Sequence, residues 1–134
     1  MANEAVKVEG PYETHDFTVA SGTQISAMTL MVFSDPRTAA ASTGDNSSPV
    51  AGVSMIEKDA TDANQTNLGI ASTGTFLMKT DTPGCVAGEL VTVSGTNLVT
   101  PATALDILSG TVLGKALEDI AAGTTGEVKL GVGI

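Results

Sequence analysis

Two parts of this 134-residue chain resemble each other at a fixed spacing, and this internal repeat limits the fold more than any other feature. Residues 50–57 and 112–119 share a pattern of apolar residues around a glycine, 62 positions apart. Leu68-Gly-Ile70 and Leu130-Gly-Val132 repeat that spacing, which implies intervening loops of equal length. The repeat predicts two similar strand–turn–strand units. The alternative is a chance likeness in a chain rich in Gly, Ala, Thr and Val.

Weaker echoes lie upstream, at offsets of 66 and 65: Ser21-Gly22 with Ala87-Gly88, and residues 35–39 with 100–104. The repeat also places glycines inside predicted strands, at Gly52, Gly69, Gly114 and Gly131. Glycine within a strand usually marks a bulge, a tight bend or a close approach of two backbones. A sheet that curls into a small barrel needs such positions.

Alternation of apolar and polar residues with period two predicts strands along most of the chain. Turn residues recur every eight to twelve positions or so, which is typical of an all-β sandwich or barrel. The helical candidate is the short stretch 102–108, preceded by Thr100-Pro101. We therefore predict an all-β fold, a small β-barrel or β-sandwich. The predicted strands are 6–8, 17–19, 25–33, 50–56, 66–71, 75–79, 89–93, 98–100, 112–117 and 127–132.

The first twenty residues have strand character but are set off by Gly10-Pro11 and Ser21-Gly22. We predict an N-terminal arm over 1–20 and a single β domain over 21–134. Such an arm can add a strand to an open sheet edge of a partner. The alternative is that it pairs with its own sheet or frays.

Charge and composition exclude several classes of function. Six Lys and Arg residues against fifteen Asp and Glu residues give a net charge of −9, which argues against nucleic-acid binding. No apolar run approaches the ~20 residues of a membrane-spanning helix, so no membrane partner is expected. The N-terminus lacks the basic start and apolar stretch of a signal peptide, which predicts synthesis and folding in a reducing cytoplasm.

The sequence offers few groups for chemistry, since it holds one Cys and one His. Residues 110–116 resemble a phosphate-binding loop, but their glycine spacing is wrong for one. Residues 59–66 resemble a calcium-binding loop, but their acidic residues are not at the positions that such a loop requires. A small hydrolase would have to combine His15 with a serine or with Cys85, yet no nucleophile elbow is present. We therefore predict no catalytic residues, no cofactor, no metal site and no small-molecule substrate.

Four segments together resemble the small capsid decoration proteins of tailed bacteriophages: 68–77, 87–93, 113–123 and 127–132. The resemblance lies in a Gly-x-Phe strand, a Gly-x-x-Val strand and an apolar-Gly-x-Ala strand followed by an Ala-Gly turn. It extends over about residues 50–132. It implies a compact, tulip-like β-barrel or sandwich that docks on an assembled capsid, often as a trimer at local three-fold positions, without catalytic residues.

The sequence and this resemblance lead to one function hypothesis. The chain would be a structural virion protein on the outer capsid surface that binds the major capsid protein and clamps neighbouring capsomers as a homotrimer. Val6, Val8 and Tyr12 of the arm are the predicted contacts with the shell. The alternative is a fibre or adhesin module that binds a host-surface glycan, although such sites use aromatic residues and this chain has three Phe, one Tyr and no Trp.

Overall fold

The computed structural model describes residues 5–9, 14–43, 49–109 and 111–131, and it confirms the predicted all-β barrel fold. In chain order the elements are β1 (Val6–Glu9), β2 (Thr14–Thr18), β3 (Leu30–Asp35), β4 (Thr38–Ala41), β5 (Val50–Ser54), β6 (Asn67–Ala71), β7 (Gly74–Thr80), β8 (Gly84–Cys85), β9 (Leu90–Gly95), β10 (Leu98–Pro101), α1 (Ala104–Ser109), β11 (Val112–Ala116), β12 (Ile120–Ala121) and β13 (Thr125–Leu130).

Strands β2 to β6 close into a five-stranded barrel in the order β2-β4-β3-β5-β6, which we call the first barrel. The one parallel pairing in this ring joins β2 to β4, at Thr18 and Thr38. Phe17 and Phe33 meet edge to face inside it, with ring centroids 5.2 Å apart. A cluster of buried side chains fills this barrel: Phe17, Val19, Ile25, Met31, Ala39, Ala51, Leu68 and Ile70.

The second barrel repeats this topology with β7, β10, β9, β11 and β13, and the pairing of β7 with β13 closes it. Here too the first strand runs parallel to the third, with Lys79 opposite Leu98. Each strand of the first barrel therefore has a counterpart in the second, β2 with β7, β3 with β9, β4 with β10, β5 with β11 and β6 with β13. The predicted duplication is thus present, and it extends over a whole barrel.

Unusual backbone angles confirm the correspondence between the two barrels. Arg37 and Asn97, 60 positions apart, lie in the β3–β4 and β9–β10 turns with φ of 51° and 57°. Positive φ is uncommon for residues other than glycine, so a match at both turns is not expected by chance. Met28 and Gly88, also 60 positions apart, both have positive φ ahead of β3 and β9.

The predicted offset of 62 is correct for β5 and β11 but wrong for β6 and β13, which follow them. Met55 N–H donates to Gly69 O, and the corresponding Leu117 N–H donates to Glu127 O. Gly69 therefore corresponds to Glu127, 58 positions on, and not to Gly131. The loop before β13 is four residues shorter than the loop before β6. The upstream offsets of 66 and 65 are replaced by 60, because hydrogen bonding rather than local likeness defines the equivalence.

Two of the four predicted special glycines have the expected role. A Cβ on Gly52 would overlap the carbonyl oxygen of Ala71, and a Cβ on Gly114 would overlap that of Lys129. The pairing register shifts beside both glycines, which marks a bulge in β5 and in β11. A Cβ on Gly69 would meet nothing within 4 Å, so that glycine marks no close approach.

The described part of the predicted arm contributes two strands. β2 is a full member of the first barrel, paired along its length with β6. β1 is antiparallel to β7 of the second barrel, with Val6 opposite Leu77, and Ala5 N–H donates to Met28 O. β1 thus belongs to the second barrel and β2 to the first.

Each barrel has an equivalent pair of residues outside its ring of strands, and the side chains in the two pairs differ. Ile25 pairs with Lys58 in the first barrel, and Cys85 pairs with Ile120 in the second. Lys58 is fully buried, and its ammonium donates to Ser21 O at 2.8 Å. A buried charge needs such partners because it has lost its hydration.

Candidate interaction surface

The two barrels meet through different parts of their equivalent surfaces. The turn between β9 and β10 of the second barrel lies against the start of β3 and the end of β4. Leu30 N–H donates to Asn97 Oδ1 at 2.8 Å, and Ser42 Oγ donates to Gly95 O at 3.0 Å. An interface between unlike surfaces of like units is head-to-tail, and it leaves one copy of each surface without a partner among the described residues.

The first unpaired surface is the turn between β3 and β4. Arg37, the counterpart of Asn97, is exposed, and Asp35 and Pro36 beside it are exposed as well. Gly95 and Asn97 are buried in the second barrel, whereas Asp35 and Arg37 at the same turn positions are open to solvent in the first.

The second unpaired surface is the matching end of the second barrel. Leu90 and Ala102 are the counterparts of Leu30 and Ser42, and both are only partly buried. The bond from Ser42 N–H to Leu30 O recurs from Ala102 N–H to Leu90 O, both at 2.8 Å. We call Leu90, Ala102 and helix α1 the open end, because Leu30 and Ser42, the counterparts of Leu90 and Ala102, are covered by the second barrel.

Beside this end, the side chains on the flank of each barrel are apolar where the flank is buried and charged where it is not. In the first barrel, Leu30, Val53 and Ala71 join the hydrophobic cluster of the second barrel and are at most 1% exposed. In the second barrel, Lys115 and Lys129 occupy the positions that Val53 and Ala71 have in the first. Lys115 is partly buried and Lys129 is exposed. The flank of the second barrel therefore combines Leu90 with the positive charges of two lysines.

Helix α1 adds exposed apolar side chains to the open end. None of its residues is buried, and Leu105, Ile107 and Leu108 are 70%, 50% and 85% exposed. The sequence predicted a helix over 102–108 but not its exposure. Apolar residues concentrated in this way are typical of interaction sites.

The helix is held in place by polar contacts at its start. Asp106 N–H donates to the Thr103 hydroxyl, and the Asp106 carboxylate accepts from Thr103 N–H at 2.8 Å. This is the reciprocal arrangement of a capping box. Thr111 N–H donates to Asp106 O at 3.0 Å and fixes the exit of the helix. The exposed leucines therefore belong to a segment that its own hydrogen bonds position.

The groups considered for catalysis lie apart in the fold. His15 is exposed on β2 of the first barrel, whereas Cys85 is buried in the cluster of the second. Burial and the nearby Glu89 carboxylate raise the pKa of the Cys85 thiol. A thiol is a poor nucleophile while it stays protonated, so Cys85 is placed as a packing residue.

The oxygen-rich loop after Lys58 uses its oxygens within the chain. Thr61 donates to the Asp59 carboxylate from its N–H and its hydroxyl, at 2.9 and 2.8 Å, and both bonds lower the pKa of Asp59. Asn64 N–H donates to Asp62 Oδ1. Among the described residues, no three His, Cys, Asp or Glu side chains gather so as to hold a metal ion.

A cavity of about 190 Å³ lies between the barrels. Its lining combines β5 and β11 with the last residue of β13 and the residues that follow β6 and β13: Val50, Ala51, Gly52, Ser72, Val112, Leu113, Leu130 and Gly131. The lining contains no titratable side chain, so it offers no group for acid–base or nucleophilic chemistry.

The three predicted contact residues of the arm are described to different extents. Val6 is 55% exposed on β1. The side chain of Val8 and all of Tyr12 lie outside the described residues. The predicted contact with a shell stays a prediction for all three.

Comparison with protein-family models gives no match, and comparison with curated proteins gives none either. Within the described residues, the one helix is far too short to cross a membrane.

Proposed function

We propose that this chain is a structural virion protein that binds the outer surface of an assembled bacteriophage capsid, clamps neighbouring capsomers, and acts as a homotrimer without enzymatic activity. The observation that carries the proposal is that two equivalent barrel ends differ in their exposure to solvent. The end at Leu30 is covered by the second barrel, whereas the end at Leu90 is open and carries the exposed leucines of α1. Such a surface favours protein contact over chemistry on a small molecule.

The head-to-tail contact inside the chain supports a ring between chains. If the exposed β3–β4 turn of one chain docks on the open end of the next, the turn-on-end arrangement of the internal interface is repeated, with Arg37 in place of Asn97 and Ala102 in place of Ser42. In a closed ring every such turn and every such end is covered. Heterologous contacts of this kind close into rings when the rotation allows. Asp35 on the turn is complementary in charge to Lys115 and Lys129 beside the open end, whereas Arg37 on the same turn has the same charge as the lysines.

A trimeric ring would also explain how a small protein stabilises a large particle. Each trimer contacts several capsomers at once, so its subunits bind with a high effective concentration. A protein that binds only the assembled shell stabilises that state by mass action, with about 2.7 kcal/mol per site at a hundred times Kd.

We expect a double substitution, Leu105→Asp with Leu108→Asp, to abolish the trimer and weaken shell binding at least tenfold. Both side chains are exposed, so the barrels should remain folded. Analytical ultracentrifugation should show about 40 kDa for the original protein, three times the 13.4 kDa chain, and a single chain for the variant. Binding is measured by co-sedimentation with expanded shells assembled without this chain, followed by their rupture temperature.

Val86→Asp is the matched control, because Val86 is 59% exposed but lies outside the open end. This control should bind shells as the original protein does. An original protein that leaves purified shells unoccupied and their rupture temperature unchanged would contradict the proposed function.

The arm is tested in the same assay. Val6→Asp combined with Val8→Asp should weaken shell binding about tenfold while the trimer persists, since the predicted arm contact is with the shell and not between chains. Normal occupancy of shells by this variant would remove the arm from the contact surface.

A further inference from the structure

Strand β2 has one side that is only partly paired. β6 pairs with β2 from Thr14 to Thr18, whereas β4 reaches it on the other side at Thr18 alone. Val19 N–H donates to Thr66 O, and Thr18 N–H donates to Arg37 O. Backbone groups alternate sides along a strand, so the N–H and C=O groups of Thr14 and Asp16 point away from β6. No described strand pairs with them there.

In the second barrel, the equivalent edge is occupied by a strand. Lys79 lies opposite Leu98 as Thr18 lies opposite Thr38, so β7 is the counterpart of β2 at an offset of 61. β1 pairs with β7 on that same side, antiparallel, with Val6 opposite Leu77. Leu77 is the counterpart of Asp16. The place that β1 fills in the second barrel is thus unfilled by any described strand in the first.

We propose that the β2 edge at Thr14–Phe17 is a strand-accepting site, the β2 slot, for an extended segment of a different protein with a basic residue opposite Asp16. The guest strand lies antiparallel to β2, as β1 does to β7. Addition of a strand to an open edge is a common mode of peptide recognition. The proposal goes beyond the capsid proposal and does not depend on it.

The surroundings of the slot fit this guest. Thr14, His15 and Asp16 are exposed, so the edge is accessible from solvent. The Arg37 guanidinium donates to Asp16 O at 2.9 Å, which shows that this carbonyl faces the open side and accepts a donor there. For a backbone N–H of the guest to take over this bond, Arg37 must leave both this carbonyl and the Phe17 ring, whose centroid lies 5.4 Å from the guanidinium carbon.

The charge of the slot selects the partner. Opposite charges on directly paired strand positions are favourable, so Asp16 prefers Lys or Arg across from it. A second copy of β1 in the same register would instead place Val6 opposite Asp16. The net charge of −9 further favours a basic segment from another protein.

Titration of isotope-labelled protein with two capped peptides, followed by amide NMR shifts, tests the slot. One peptide is Ala-Val-Lys-Val-Glu, the sequence of residues 5–9, and the other, Ala-Lys-Lys-Val-Glu, carries Lys in place of Val6. Saturable shifts are expected at the amides of 14–18, with the lysine peptide binding about two- to fivefold more tightly. Shifts confined to other strands, or none at millimolar peptide, would overturn the proposal.

Two substitutions at one position separate the backbone from the charge. Asp16→Pro removes the N–H that faces the slot but leaves the bonds to β6, so peptide binding should be lost. Asp16→Ala keeps the N–H, so binding should persist without the preference for lysine. Thr14→Pro serves as a second test if Asp16→Pro lacks a dispersed spectrum. Unchanged binding by a folded proline variant would refute the slot, and the shell assay would still decide the capsid proposal.

Discussion

Alanine in place of Gly114 is expected to lower the free energy of unfolding by about 3 kcal/mol or more, and Gly52→Ala should do the same in the first barrel. A Cβ at Gly114 would overlap the carbonyl oxygen of Lys129, which is backbone and cannot rotate away. At Gly52 the obstacle is the carbonyl oxygen of Ala71, and its φ of 142° adds strain for any other residue. Either strand pair must separate to accept the methyl group.

Gly69→Ala is the matched control, since Gly69 lies in β6 of the first barrel, as Gly52 does in β5, and its Cβ would meet nothing within 4 Å. We expect this control to change stability by less than about 1 kcal/mol. Urea unfolding monitored by circular dichroism measures all three variants. Equal stability of the Gly114 and Gly69 variants would show that β11 and β13 are not in the close contact described.

Local patterns predicted most of the strands but missed β8, β12 and β4, the last because residues 39–49 were predicted as a loop. The repeat of residues 50–57 predicted the bulged pair β5 and β11. In both strands glycine lies where two backbones approach, and that requirement is local enough to be visible in the sequence. The alignment of Leu68-Gly-Ile70 with Leu130-Gly-Val132 was wrong, because Gly69 and Gly131 are alike in identity but not in hydrogen-bond partners. Loop lengths change the offset, and only the register reveals this.

The open end was beyond sequence reasoning for a different reason. Leu30 and Leu90 are the same residue at equivalent positions, yet Leu30 is 1% exposed and Leu90 is only partly buried. Their difference arises from which barrel end the chain covers, and that depends on contacts between distant segments. The lysines at 115 and 129 were the one available signal, because they replace the buried Val53 and Ala71.

Asn97→Ala is expected to cost about 2–4 kcal/mol, because Asn97 joins the two barrels. Its Oδ1 accepts the Leu30 N–H at 2.8 Å in a site where Asn97 is 1% exposed. Alanine leaves that buried N–H without its acceptor, and it tolerates the φ of 57° less well than asparagine does. Asn97→Gly removes the acceptor but tolerates the positive φ, so it should be less destabilising than alanine by about 1 kcal/mol.

Arg37→Ala separates the contribution of the interface from that of the backbone, since Arg37 has φ of 51° at the equivalent turn but is exposed. Both alanine variants keep a positive φ at the equivalent turn position. Arg37→Ala also removes the guanidinium contacts with Asp16 O and the Phe17 ring, so a still larger loss at Asn97 reports the contact between barrels. We expect Arg37→Ala to stay within about 1 kcal/mol of the original protein. Hydrogen exchange at the Leu30 amide should accelerate in Asn97→Ala and not in Arg37→Ala. Equal losses in the two variants would mean that the turn has only a local role, and the argument for a repeated interface between chains would lose its basis.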